Sequence, residues 1–306
     1  MEKIDCFAHV LLPGFKSKIL EVAPRLPEQM PFINHPLLID MEARRKSKYQ
    51  GVKQVLSYVN TNPEDYLEPD QAIALVQSAN QELVTLVSEQ TDIYAGAVAM
   101  LALNNISGSV KIIKEEVARN PFLLGIQLFT RHLGKSLAHP DFKPIFQICA
   151  ELDIPIWLHP VFDTRKPDNN IIFSWEYEQT QAMFQVVEAG YFQEFPELKI
   201  IVHHAGAMAP YFAERINHIL SEQLANDFKK FYVDTALLGN PKALELAVAN
   251  FGADHLLFGT DAPLGIAPAG ATAEIIQAIE ELPITEQAKE GIFQGNFMQL
   301  IKGERR

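Results

Sequence analysis

Short apolar runs separated by longer amphipathic stretches alternate along the whole chain. KIDCFAHV, GVKQVLSYV, TDIYAGAVAM, FLLGIQLF, IPIWLHP, LKIIVHHAG, KFYVDTAL and HLLFGTDAP read as eight strands. They are rich in β-branched residues and nearly continuously apolar, the pattern of parallel strands buried on both faces. Helical stretches lie between them, near Met41–Gln50, Asp70–Gln90, Ser107–Asn120, Asp141–Leu152, Glu178–Ala189, Tyr211–Glu222 and Pro241–Asn250. Two more, Ala271–Glu281 and Thr285–Leu300, close the chain. About eight strand–helix units predict an α/β fold, a (β/α)8 TIM barrel, as a single domain over residues 1–306. A doubly wound open sheet fits less well, because no GxGxxG follows the first strand. Prolines 13, 24, 27, 31 and 36 punctuate a predicted long loop after the first strand, to about Ile39. A second predicted loop, Val161–Tyr177, follows the fifth strand, and both are expected to act as lids of a pocket.

Composition narrows the function classes. The 306 residues are 48% hydrophobic and 21% charged, enough for a large core. A formal net charge of −12 argues against nucleic acid and anionic membrane as partners. It leaves room for a small anionic substrate. Cys6 and Cys149 stand in apolar surroundings without a CxxC and read as buried thiols. The N-terminus lacks the basic start and apolar run of a signal peptide, and no apolar run reaches ~18 residues. The expectation is a cytoplasmic protein.

In a parallel barrel the active site lies where the strands end. The first strand ends on His9, the fifth on His159, the sixth on His203 and His204, and the eighth on Asp261. One buried histidine is ordinarily a hydrogen-bonded core residue. Several imidazoles and a carboxylate at one rim need a shared partner, and a divalent cation satisfies them together. His132, His139, His218 and His255 read instead as surface or locally hydrogen-bonded residues, while His35 lies in the first loop and could reach the pocket.

These rim residues, in this order, resemble the amidohydrolase superfamily, and in particular its decarboxylating branch typified by aminocarboxymuconate-semialdehyde and γ-resorcylate decarboxylases. The stretches that carry the resemblance are IDCFAHVLLP, DIPIWLHP, EAGYFQEFPELKIIVHHAGAMAPYFAERI, FYVDTAL, LLFGTDAP and GNFMQL. The resemblance implies a barrel with one divalent metal, zinc first and manganese or iron next, held by His9, His159 and Asp261. It implies His204, rather than His203, as the histidine working beside the metal, because of its distance from Pro210. It implies Arg215 as a residue that meets a substrate carboxylate across a homodimer or higher oligomer. The catalytic pair would be His204 and Asp261, with Phe129, Trp157, Phe162, Phe173 and Trp175 as candidate walls for a flat carboxylic acid. Non-oxidative decarboxylation of a small aromatic or conjugated acid is the implied reaction. The alternatives are hydrolysis of a lactone, ester or amide, with Asp261 as base, and a degenerate barrel that only binds.

One position departs from the family. Where the first strand should read HxH, or a Glu in place of the first His, this chain has Phe7-Ala8-His9. Alternation places Asp5, Phe7 and His9 on one strand face. A phenyl ring therefore stands where a ligand is expected, and Cys6 is expected to point the other way.

Overall fold

Seven parallel strands curl in sequence order, each paired with the next: β1 (Lys3–Val10), β2 (Val52–Tyr58), β3 (Tyr94–Ala99), β4 (Leu123–Phe129), β5 (Ile156–His159), β6 (Ile200–Val202) and β7 (Tyr232–Val233). The structure, a computed structural model, describes residues 2–163, 165–166 and 170–301. The eighth expected strand forms no regular ladder. Residues 256–262 instead close the ring through single bridges, Val233 with Leu256 on one side and Ala8 with Ala262 on the other. Leu257 N–H donates to the Val233 carbonyl, Cys6 N–H to Phe258 and Asp261 N–H to Phe7. The sheet is thus a closed barrel without a free edge.

The eighth segment is irregular for a local reason. At Gly259 an added Cβ would sit 2.8 Å from Asp234 Cβ and 3.2 Å from Phe7 Cβ. The backbone passes too close to its neighbours to carry a side chain there. Two residues later Asp261 adopts φ +63°, a left-handed conformation that interrupts the strand just before the Ala262 bridge.

Side chains fill the barrel interior. Ile4, Phe7, Val55, Trp157, Ile201 and Leu257 form its floor, sealed from below by Phe297 of the terminal helix Asn296–Ile301. A larger apolar layer lies between strands and helices. Both cysteines are buried and unpaired, and burial pushes their thiols up from the ordinary value.

The predicted loop after β1 is mostly helical. It holds a helix over Pro13–Val22 and short turns at Leu26–Gln29, Pro31–Asn34 and Pro36–Ile39. Pro13, Pro31 and Pro36 each open one of these turns. Proline suits that first position because its missing N–H would be unpaired anyway. Of the second predicted loop, Thr164 and Pro167–Asn169 lie outside the described residues; Asn170–Ser174 is a helical turn leading into the helix Trp175–Glu188. Among the described residues no helix is long and apolar enough to cross a membrane.

Candidate metal centre

Three imidazoles meet at the C-terminal rim of the barrel. His9 ends β1, His159 ends β5, and His203 follows β6; all are fully or almost fully buried. Their ligating atoms lie within 4.8 Å of one another, and a second such group joins His203, His204 and Asp261. In each of the three buried rings one nitrogen is already engaged. His9 Nδ1 pairs with Ser57 Oγ at 3.0 Å. His159 Nδ1 donates to the Pro160 carbonyl at 2.6 Å. His203 Nδ1 donates to the Asp234 carboxylate. That leaves each Nε2 as the free nitrogen, the arrangement in which a second partner fixes the tautomer of a ligating histidine.

Asp261 faces two of them. Its Oδ1 lies 3.1 Å from His9 Nε2 and 3.4 Å from His203 Nε2. Neither Nε2 has a hydrogen bond of good geometry, although both are buried. Two buried, unsatisfied nitrogens beside one carboxylate are costly unless a cation joins them. The residues present therefore fit a divalent ion held by imidazole and carboxylate.

Electrostatics agree. Burial alone would raise the Asp261 carboxyl, but His203 and His9 outweigh it and hold it well below the usual carboxylate range. Burial disfavours the His203 cation, yet Asp234 and then Asp261 lift that ring to about 10. His9 and His159 are lowered by burial. The site thus keeps a carboxylate and two neutral imidazoles ready near neutral pH.

The local backbone is strained. His204, Ala205, Gly206 and Ala207 all have φ between +54° and +77°, so three of the four are non-glycine residues in the left-handed region. Such residues persist where surroundings over-determine them, at about 1–3 kcal/mol each. Asp234 supplies that restraint: its carboxylate binds the His203 ring and accepts from the N–H groups of Ala205 and Ala236.

His204 stands beside the three buried imidazoles. Its Nδ1 donates to Glu176 Oε1 at 2.7 Å, and its ring lies 6.3 Å from that of Trp175, nearly parallel. Above them opens an apolar pocket lined by Phe32, Trp175, Glu176, His204, Leu237 and Asp261, among others. Phe162 packs at its margin, 5.6 Å from Phe32 and 6.5 Å from Trp175. Phe129 meets the His159 ring edge-on at 5.7 Å from the opposite side. Trp157 lies lower: it is buried in the barrel floor with Nε1 donating to the Cys6 carbonyl at 2.8 Å, which gives it a packing role. Arg215 sits on the exposed face of the helix Ala213–Ile219, outside this pocket. Phe173 is exposed. His35 caps the turn Pro36–Ile39 and does not line the pocket. His139 and His218 make local contacts with Asp141 and Glu214, and His255 reaches the Phe231 carbonyl. His132 accepts locally from the Phe129 N–H but is buried rather than at the surface, with its Nδ1 2.7 Å from Glu64 Oε1 of a distant turn.

Reasoning from strand ends passed over Asp234, although it follows β7 as His9 ends β1, and the same criterion would have found it. Glu176, Ser57 and Arg44 carried no such signal. Arg44, buried on the helix Met41–Ser47, donates to the His9 carbonyl at 2.6 Å and reaches the Ala262 carbonyl at 3.5 Å.

The sequence model of the amidohydrolase family matches residues 4–299. The chain belongs to that family. Among curated relatives, a 6-methylsalicylic acid decarboxylase from Penicillium expansum is 27% identical over 98% of this chain and 96% of its own length. A γ-resorcylate decarboxylase from Polaromonas sp. is 28% identical over 53% of this chain and 55% of its own. Among solved structures, 5-carboxyvanillate decarboxylase from Sphingomonas paucimobilis superposes with a TM-score of 0.82 at 18% identity, over 98% of this chain and 99% of that one. A dihydroxybenzoic acid decarboxylase from Polaromonas sp., solved with bound manganese, gives 0.77 at 21% identity, over 98% and 97%. These likenesses establish the amidohydrolase barrel for the fold.

Proposed function

We propose that the chain is a metal-dependent, non-oxidative decarboxylase of a small aromatic carboxylic acid. The observation that carries this reading is the convergence of buried, otherwise unpaired Nε2 atoms of His9 and His203 on Asp261, which lines an apolar pocket walled by Phe32 and Trp175. The names borne by its relatives support it. His9, His159 and Asp261 would hold the ion; zinc suits this donor set, and manganese is present in two structural neighbours. When bound, such an ion polarises the oxygens of a chelated carboxylate.

The chain's own residues do the rest. Trp175, Phe32 and Leu237 shield the ring from water. His204, oriented through Nδ1 by Glu176, presents its other nitrogen as the proton donor. The proton joins the ring carbon that bears the carboxyl group. The C–C bond breaks, its electron pair stays with the ring, and carbon dioxide leaves. His204 regains a proton from solvent. Hydrolysis of a lactone or ester is the competing outcome, with Asp261 as base. We further take the protein to be cytoplasmic and at least a homodimer. Support for the dimer is the exposed apolar row Tyr211, Phe212 and Ile219 around Arg215, an area the resemblance assigns to the subunit contact.

The test is turnover. The full chain, loaded with zinc or manganese, is offered 6-methylsalicylate, 2,6-dihydroxybenzoate, 5-carboxyvanillate and simple lactones. Carbon dioxide release from at least one acid supports the reading; opening of lactones alone overturns it.

A further inference from the structure

Phe7 and His203 are each unexpected, and they touch. Phe7 stands at the position on β1 where a ligand is expected, pointing into the imidazole cage. Its ring centroid is 5.6 Å from His9 and 5.9 Å from His159. Against His203 it is stacked at 3.9 Å, with the planes 17° apart. A phenyl ring offers no lone pair, so the first strand supplies one donor, His9, instead of two.

The sixth strand supplies a donor in its place. His203 is fully buried, and its Nδ1 is tied to Asp234. Its Nε2 is buried, has no hydrogen-bond partner and lies 3.4 Å from Asp261 Oδ1. It also groups with His9 and His159 as a candidate ligand set. The stacked Phe7 ring fixes the plane of the imidazole from one face while Asp234 fixes its rotation. A side chain held by two independent contacts, with Nε2 beside a buried carboxylate, is placed to become a ligand when a cation takes the position of the Nε2 proton. His204 is held differently. Its Nδ1 goes to Glu176, and its ring packs toward Trp175 on the pocket side.

We propose that His203 is a metal ligand in this chain, supplying from the sixth strand the imidazole that Phe7 removes from the first. The ligand set becomes His9, His159, His203 and Asp261, with Phe7 as the wall that sets the His203 ring. This assignment rests on the proposed metal centre and changes which residues hold the ion; it leaves His204 free to move protons.

Metal affinity of the full-length chain tests it, measured by chelator competition with zinc or manganese alone and no substrate. His203→Asn retains a donor toward Asp234 in place of Nδ1 and removes Nε2. It should weaken binding by about 100-fold or more, beyond the 10–100-fold typical of losing an outer partner. His204→Asn should leave affinity within about threefold. Adding Phe7→His to His203→Asn should restore most of the lost affinity, because the donor returns from the first strand. Near-ultraviolet circular dichroism of each variant checks that it is folded, and should His203→Asn fail this check, the comparison is made with His203→Ala. Wild-type affinity in folded His203→Asn overturns the assignment while leaving the metal centre standing. A wild-type chain that binds neither ion overturns both. Decarboxylation assays do not enter this test, so a wrong substrate class leaves its outcome unchanged.

Discussion

Replacing Arg44 by methionine should destabilise the protein and loosen the metal centre together. The guanidinium is buried and donates to four acceptors: the His9 carbonyl at 2.6 Å, the Leu37 carbonyl at 3.2 Å, Gln54 Oε1 at 2.8 and 3.1 Å and, at the longest reach, the Ala262 carbonyl at 3.5 Å. Gln54 passes the contact on, its Nε2 donating to Asp5 Oδ2 at 3.2 Å, and Asp5 in turn accepts from Thr260. Among the described residues no carboxylate pairs with Arg44 directly, and burial lowers its pKa from the ordinary value. Arg44→Met leaves three close acceptors against an apolar chain, about 1–3 kcal/mol each, with the more distant Ala262 carbonyl adding little. Against this stands relief of the charge burial, several kcal/mol for a buried ion. The balance is a net loss of about 2–4 kcal/mol. A domain of this size shifts by about 2 °C per kcal/mol, so Tm should fall by about 4–8 °C. Arg44→Lys keeps one charged donor and should recover about half of that loss. The assay is calorimetry of chelator-treated protein, with the three forms compared at one pH. Because Arg44 holds the backbone carbonyls of His9 and Ala262, on either side of the closing bridge, metal affinity should fall about tenfold in Arg44→Met as well. Stability of Arg44→Met within about 0.5 kcal/mol of wild type would refute the reasoning.

Three further outcomes follow from the packing and the site. At Gly125 an added Cβ would lie 2.3 Å from Trp157 and 2.4 Å from the Pro155 carbonyl; Gly125→Ala should cost about 3 kcal/mol or more in urea unfolding, and a silent substitution would mean the floor can yield. Both thiols are buried with pKa values pushed up, so Ellman's reagent at pH 8 should label neither in the native chain and both in guanidinium. Glu176→Gln should reduce kcat about tenfold or more with KM little changed, as expected when a partner that orients the working imidazole is weakened; an equal rise in KM with constant kcat would place Glu176 in substrate binding instead.

Much of this fold was legible because parallel barrel strands are buried on both faces and therefore read as apolar runs. Seven such runs became strands. The eighth did not, since Gly259 and Asp261 trade regular pairing for close approach and a left-handed turn. The segment after β1 misled because proline marks a helix start as readily as a loop, and Pro13, Pro31 and Pro36 do the former. At the site, His9, His159 and Asp261 stood out as polar residues ending apolar runs. Both His203 and His204 were visible after the sixth strand, and their spacing to Pro210 favoured His204 beside the metal; the backbone turn at 204–207, which sends the two side chains in different directions, had no sequence signal. Arg44 and Glu176 come from helices, where a charged residue ordinarily faces water, so nothing in their local pattern announces burial beside the site. Trp157 shares a strand face with His159, and alternation alone could not tell floor from mouth.

The most direct test of metal-dependent decarboxylation at the barrel mouth uses an aromatic acid labelled with carbon-13 at its carboxyl group, in deuterium oxide. Chelator-treated protein is followed by nuclear magnetic resonance before and after zinc or manganese is restored. The account predicts no reaction at first, then label leaving as carbon dioxide and bicarbonate while deuterium takes its place on the ring. Loss of label at full rate from protein shown to be free of metal, or an intact acid across the whole substrate panel with the ion demonstrably bound, would contradict it.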